Sequence, residues 1–347
     1  MPQTGSMARI LLCGEIEWAQ RECDGLFKGL AELVHMDSPD RREFFSDLKP
    51  GGKYDGIVGI YHRGGPTAAR IGALDNELIS VLPSSVRWLA SLGAGYDQID
   101  IDACKRRGIR VSNTPKAGDD ATATTALYLI ISALRLFSHA ERDLRAGKWK
   151  SSHNPGAAHD LSGRTLAILG LGGIGLRLAE LAHAFPMRIL YHSRRKVEHA
   201  PAYCEYYPAE RLDEMLANAD VLSVHVPLNK HTECLVDDTM IRKLRKGAVI
   251  VNTARGKVID EAALIRALED GHLGAVGLDV FPDEPQVNPR LLDFPNATLL
   301  PHVGGATWET LKNMEIRALT NLHDFLTKGQ GEDLIPEFKD ASPMTGP

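Results

Sequence analysis

A chain of 347 residues with 44% hydrophobic content exceeds one typical core and holds enough apolar residues for two. A net charge of −5, with acidic and basic residues mixed along the chain, excludes a basic face for nucleic acid and a polybasic membrane anchor, which leaves small-molecule work. Five scattered cysteines, Cys13, Cys23, Cys104, Cys204 and Cys234, form no C-x-x-C pair; with no apolar leader and no membrane-length run, the expectation is a reduced, cytoplasmic protein without a disulfide framework or zinc site.

The predicted elements alternate. From Ala8, "ARILLCGEI" reads as an apolar strand running into a turn, and "YDGIVGIYHRGG" and "VRWLASLGAGYD" repeat that form with helical stretches between. Alternation of this length implies βαβ units and a mostly parallel sheet, with ligand loops at the carboxyl ends of the strands. "DDATATTALYLIISALRLFSHAERDLRAG", Asp119 to Gly147, predicts one long helix with Asp at its start and Gly at its end. A second alternation comes next, with strands at "MRILYHS", "VLSVHVP", "AVIVNTA", "AVGLDVF" and "ATLLPHV" and helices at "AERLDEMLANA", "DDTMIRKL" and "DEAALIRALEDG". The helix of "TWETLKNMEIRALTNLHDFLTKG" would then carry the chain back to the first domain. The expected fold class is α/β with two doubly wound parallel sheets: 7–118 with 315–335 in one domain, 119–314 in the other, and tails at 1–6 and 336–347.

Within "GRTLAILGLGGIGLRLAELAHAF" a strand turns through glycines straight into a helix with G-x-G-x-x-G spacing. Gly170 suits the tight turn, Gly172 the close approach of a pyrophosphate, and Gly175 the packing of helix on strand. Free amides at the helix start, those of Gly173 and Ile174 among them, favour an anion there. A dinucleotide turn of this kind predicts a carboxylate some 20 residues on, accepting from the adenosine ribose diol of NAD. The next strand instead ends in "LYHSRRK", with Ser193, Arg194 and Arg195 at that place. A hydroxyl and two guanidinium groups suit a 2′-phosphate, so NADP(H) is expected in preference to NAD(H).

Three polar residues fall at the ends of later strands: Arg255 in "VNTARG", Glu284 in "GLDVFPDEP" and His302 in "LLPHVGGAT". With the glycine turn, "VNTARGKVIDEAALIRAL", "GAVGLDVFPDEP", "LLPHVGGAT" and "LGAGYDQIDIDACKRRGIRVSN", the chain from about Ala8 to Gly329 resembles the D-isomer-specific 2-hydroxyacid dehydrogenase family. "LPSSVRWLASLGAGYDQIDIDACKRRGI" and "GDDATATTALYLI" look closest to fungal D-mandelate dehydrogenases or glyoxylate and hydroxypyruvate reductases.

The resemblance implies a flavodoxin-like substrate domain and a Rossmann dinucleotide-binding domain with a cleft between them, and a homodimer. It implies NADPH-dependent reduction of a 2-oxo acid, such as glyoxylate, hydroxypyruvate or phenylglyoxylate, reversible to D-2-hydroxyacid oxidation. His302 would donate the proton, Glu284 would orient it and favour the imidazolium, and Arg255 would grip the substrate carboxylate. Backbone amides of Gly93, Ala94 and Gly95 would hold the same carboxylate. On the cofactor side, Val226 and Pro227 would flank adenine, Thr253 and Ala254 the nicotinamide ribose, and Asp279 the nicotinamide amide, while Gly304 and Gly305 would let the backbone approach the ring. Tyr61, with His62 and Arg63, would shape the substrate pocket. No metal is implied. The chain departs from the family pattern at Ser193, where an Asp is common, and at Thr124, where a Glu is frequent. Two other readings share these residues: a cofactor-sensing, corepressor-like binding protein, and a dehydrogenase of formate or phosphite.

Overall fold

The computed structural model describes residues 7–64, 66–149 and 155–339, so the expected tails at 1–6 and from 340 onward lie outside the described residues. The chain divides into two compact units, the first drawn from 1–118 and 307–347 and the second from 119–306.

Among the described residues, the first unit is built on five strands: β1 (Ala8–Cys13), β2 (Ala31–His35), β3 (Ile57–His62), β4 (Trp88–Ser91) and β5 (Arg110–Ser112). They pair in parallel in the order β2-β1-β3-β4-β5, which places the reversal of strand order between β1 and β3. Aspartates start three of the surrounding helices: Asp40, Asp75 and Asp100 accept from the amides of Glu43, Leu78 and Ala103 at 2.8, 3.0 and 2.8 Å. The returning helix Trp308–Lys328 begins at Thr307, whose hydroxyl accepts from Thr310 N, and stops at Gly329 with φ 72°. It packs into this core, where Phe325 stacks on Trp88 at 5.4 Å. The chain thus rejoins the first unit at Thr307, ahead of the expected 315.

The segment beyond that helix is also packed further than expected. Both carboxylate oxygens of Asp333 accept from Arg317, at 2.6 Å each, and Ile335 N donates to Val111 O. Phe338 is buried, so the segment expected as a tail from 336 is anchored through that residue.

Among the described residues, the second unit holds seven strands: β6 (Thr165–Leu169), β7 (Arg188–His192), β8 (Cys204–Tyr206), β9 (Val221–Val224), β10 (Ala248–Asn252), β11 (Leu273–Leu278) and β12 (Ala297–Leu299). All pairings are parallel, in the order β12-β11-β10-β9-β6-β7-β8. β6 and β10 are buried along their whole length, as parallel strands covered on both faces must be. The edge strand β8 escapes the sequence reading because three residues, one of them charged, give no periodic signal. Here the strand order reverses between β6 and β9, the place where doubly wound sheets bind ligands.

The helix expected over Asp119 to Gly147 is two helices, Asp119–Arg135 and Phe137–Arg145, meeting at 73°. Leu136 turns the chain with φ 53°. Ser132 Oγ takes the amide of Ser138 at 3.3 Å and pairs with Thr298 Oγ1 at 2.9 Å, so a side chain replaces the helical ladder at the break. The second helix then lies where Arg142 donates to Pro295 O and Ala297 O beside β12. The first lies on β11, where a Cβ on Gly277 would meet Leu129 Cβ at 2.8 Å.

Candidate active site

β6 ends at the glycine turn. Gly170 has φ 100°, and a Cβ there would stand 2.9 Å from the carbonyl of His225 at the end of β9, so only glycine lets the two strand ends meet. A Cβ on Gly175 would lie 2.3 Å from Gly170 O, which is the close helix-on-strand packing the spacing predicts. Gly172 is different: nothing lies within 4 Å of its Cβ position. The N-cap residue of the helix it starts, Gly173–His183, is this glycine, which has no side chain to fill the space. Open space beside helical amides is what a phosphate needs. Gly173 has a reason the sequence did not reveal, because Asp119 Oδ2 lies 1.9 Å from its Cβ position. Val226 borders the same turn, its Cγ1 3.0 Å from a Cβ on Gly170, and Pro227 O accepts from Thr232 Oγ1.

At the end of β7, Ser193 Oγ donates to Arg195 O at 2.6 Å and Tyr206 Oη donates to Ser193 O at 3.3 Å, which shapes the strand end into a turn. Arg194 and Arg195 are exposed and make no ion pair among the described residues. Two guanidinium groups are therefore presented without a carboxylate beside them.

The three strand-end residues come together in the second unit. Asn252 closes the turn after β10, accepting from Ala254 N and donating to Arg255 O, both at 2.9 Å. Gly256 brings this turn against the next one: a Cβ there would lie 2.0 Å from the carbonyl carbon of Phe281. Phe281 N in turn donates to Glu284 Oε1 at 2.8 Å, and Glu284 Oε2 meets His302 Nδ1 at 2.7 Å. Neither Asn252 nor Gly256 was singled out from the sequence; the signal was present in "VNTARG", as an Asx residue and a glycine flanking the arginine.

His302 sits in the left-handed region, φ 55°, where a non-glycine residue is strained unless its surroundings hold it. Asp279 holds it. Its carbonyl accepts from His302 N at 2.7 Å, and its carboxylate oxygens accept from Val303 N and Gly304 N at 2.8 Å each. The Asp279 carboxylate, expected at the nicotinamide amide, is thus already engaged as the clamp of the His302 loop. It explains Gly304 too, since a Cβ there would meet Asp279 Oδ2 at 2.7 Å. Burial pushes the Asp279 carboxyl up, against the pull of those two amides. Thr253, beside this cluster, is buried with a hydroxyl that finds no partner among the described residues. An orphaned buried hydroxyl, open space at Gly172 and two guanidinium groups without an ion pair among the described residues together fit a phosphorylated dinucleotide.

In the first unit, Gly93 turns with φ 101° after β4, and its amide donates to Thr114 Oγ1 at 2.8 Å. That amide is committed to the fold, whereas those of Ala94 and Gly95 make no bond among the described residues. Tyr61 requires a correction. It was expected on a pocket-facing loop, but it lies inside β3, is fully buried and belongs to the core. Both faces of this parallel strand are covered, so a residue at its end can point inward as easily as toward a ligand. The neighbouring His62 is also buried, and burial holds its imidazole down to about 4.

Comparison with known proteins converges on one family. The NAD binding domain model of the D-isomer specific 2-hydroxyacid dehydrogenases matches residues 127–304. Over 337 residues the chain is 40% identical to 4-methyl-2-oxopentanoate reductase A of Aspergillus oryzae, covering 96% of this chain and 99% of that one. Among solved structures, a glyoxylate reductase from Paecilomyes thermophila matches with a TM-score of 0.91 and 42% identity, over 96% of this chain and 100% of that one. The apo form of Rhodotorula graminis D-mandelate dehydrogenase matches with a TM-score of 0.88 and 32% identity, over 97% and 100%.

Proposed function

Given that the chain belongs to the D-isomer specific 2-hydroxyacid dehydrogenase family and is an NAD(P)-dependent oxidoreductase, we propose that it reduces 2-oxo acids with NADPH and, in reverse, oxidises D-2-hydroxy acids. The observation that carries this reading is the Glu284–His302 pair, with Arg255 held on the adjoining turn. A bound nicotinamide would supply the hydride for this reduction. His302 supplies the proton. Its Nδ1 is taken by Glu284, which leaves Nε2 to protonate the carbonyl oxygen, and the same hydrogen bond keeps the ring protonated above the ordinary imidazole range. Arg255 pairs its planar fork with the substrate carboxylate. Thr253, with its unpartnered buried hydroxyl, is assigned to the cofactor ribose.

Preference for NADPH is supported by Ser193, Arg194 and Arg195, where a ribose-binding carboxylate is missing and two unpaired guanidinium groups stand in its place. A homodimer is supported by apolar side chains left open along the bent helix pair and just beyond it: Tyr128 and Phe137 at 46% exposure, Leu144 at 58% and Trp149 at 77%.

The test is absorbance at 340 nm with NADH and NADPH against small, branched and aromatic 2-oxo acids, reported as kcat/KM. The expected result is turnover with NADPH well above that with NADH. Normal cofactor binding with no turnover of any 2-oxo acid would overturn the reading in favour of a sensor.

A further inference from the structure

Glu315 lies in the middle of the returning helix Trp308–Lys328 and is completely buried. Its carboxylate is nevertheless fully occupied. Oε1 accepts from Glu17 N at 3.1 Å, and Oε2 accepts from Trp18 N at 2.8 Å and Ala19 N at 2.9 Å. Oε1 also accepts from Arg63 Nη1 at 2.9 Å. The helix Gln20–Phe27 has no side-chain cap of its own, and Glu315 fixes the turn that leads into it from almost the other end of the chain.

Arg63 is as thoroughly bound as its partner. Nη1 donates also to Glu15 O at 2.9 Å, and Nη2 pairs with Glu17 Oε2 at 3.1 Å, leaving the side chain 17% exposed. Gly14 yields the space, since a Cβ on it would lie 2.7 Å from Arg63 Cβ. These contacts tie together the loops that leave β1 and β3, on the two sides of the strand-order reversal, where a doubly wound sheet receives its ligand. The loop of free amides, Ala94 and Gly95, leaves the next strand, β4. Among the described residues of these three loops, residues 14–19, 63–64 and 92–97, Arg63 is the single cation, beside Glu15 and Glu17. His62 cannot add a charge, because burial keeps its ring neutral at ordinary pH.

We propose that the Glu315–Arg63 pair is a specificity device: by holding the guanidinium of these loops, Glu315 makes them receive 2-oxo acids with an uncharged side chain and turn away those with a second carboxylate. This rests on the proposed reduction of 2-oxo acids. A free arginine at this strand end would bind a second carboxylate as a fork. Bound to Glu315 and Glu17, it offers no such partner, and the exposed acidic side chains repel the anion. Glu315 acts through Arg63 and the loop backbone, as a positioning residue.

The experiment compares kcat/KM for 4-methyl-2-oxopentanoate and 2-oxoglutarate in the full chain and in three variants. The unmodified protein is expected to favour the neutral side chain by about 100-fold, and Glu315→Gln to narrow that ratio by about tenfold, chiefly through a lower KM for 2-oxoglutarate. Adding Arg63→Gln to Glu315→Gln should restore the ratio, because the gain needs the released guanidinium. A merely structural role for Glu315 would lower the melting temperature and slow both substrates in parallel, and that result, or an unchanged ratio in a folded variant, overturns the proposal. Should Glu315→Gln fail to fold, Glu17→Gln removes the exposed partner of Arg63 and should shift the ratio in the same direction by a smaller factor; no shift overturns it. Should no 2-oxo acid be turned over at all, the proposed function fails. Titration of the two anions into the NADP-loaded protein still reads the discrimination by itself, and equal affinities would then overturn the specificity proposal.

Discussion

Glu284 Oε2 and His302 Nδ1 lie 2.7 Å apart, and each moves the other's proton equilibrium in the opposite direction. Burial pushes the Glu284 carboxyl up, but the hydrogen bonds from His302 and Phe281 N outweigh it and leave the group below its ordinary range. The hydrogen bond to Glu284 lifts His302 above its ordinary range, against the effect of burial. One contact thus favours both the ionised carboxylate and the charged imidazole.

For reduction, the active form has His302 protonated, so kcat/KM should fall only as pH rises through the raised value. Glu284→Gln removes the largest cause of that rise, and the alkaline limb should move to lower pH. A pH profile whose alkaline limb does not move would detach His302 from the limb.

Folding stability depends on pH in opposite senses for the two partners. The His302 contribution is complete below its unfolded value and is lost as pH rises through the raised folded value. The Glu284 contribution is complete above its unfolded value and is lost as pH falls through the lowered folded value. Both are complete between about pH 4.3 and about 6.5. Melting temperatures across pH should therefore separate Glu284→Gln from the parent most in that window.

Replacing His302 with Gln keeps a polar side chain but removes the proton donor. Turnover should drop on the order of 10²–10⁴-fold, while NADPH titration gives an unchanged Kd. A normal kcat would remove His302 from the chemistry.

Substituting Ser193→Asp together with Arg194→Ser and Arg195→Ser should exchange the two cofactors in order of kcat/KM. The new carboxylate would accept from a ribose diol and repel a 2′-phosphate. Equal use of NADH and NADPH by the unmodified protein would show that this strand end reads no phosphate.

Tyr61 offers a test of where the pocket is not. Its hydroxyl is buried and finds no hydrogen-bond partner among the described residues, and an unsatisfied buried group costs about 1–3 kcal/mol. Tyr61→Phe should leave the melting temperature equal or higher, with kcat/KM unchanged for small and bulky 2-oxo acids. A substrate-dependent loss would return Tyr61 to the pocket.

The sheets and the cluster of Arg255, Glu284 and His302 were legible because both write themselves into short windows: buried parallel strands as apolar runs, and site residues as strand-end motifs. The features that stayed hidden depend on partners far away in sequence. Nothing around Leu136 announces a break, since it arises when Ser132 reaches Ser138 and Thr298. Gly173 looks like part of a phosphate turn, yet its lack of a side chain is also demanded by Asp119. "YH" at the end of β3 gives no sign of which side chain faces inward, because both faces of the strand are covered. Glu315 in "LKNMEIRAL" looks like any polar residue of an exposed helix face, and only the fold reveals that it is buried.

The grip of Glu315 on the loop after β1 also bears on how the protein is made. Glu17 and Trp18 leave the ribosome 298 and 297 residues ahead of the side chain that accepts their amides. The second unit, contiguous from 119 to 306, is synthesised whole in that interval. Domains usually mature in the order they emerge. Here the earliest segment must wait, with β1 and its loop unfinished, until the last long helix arrives, so the unit that is begun first is the one completed last.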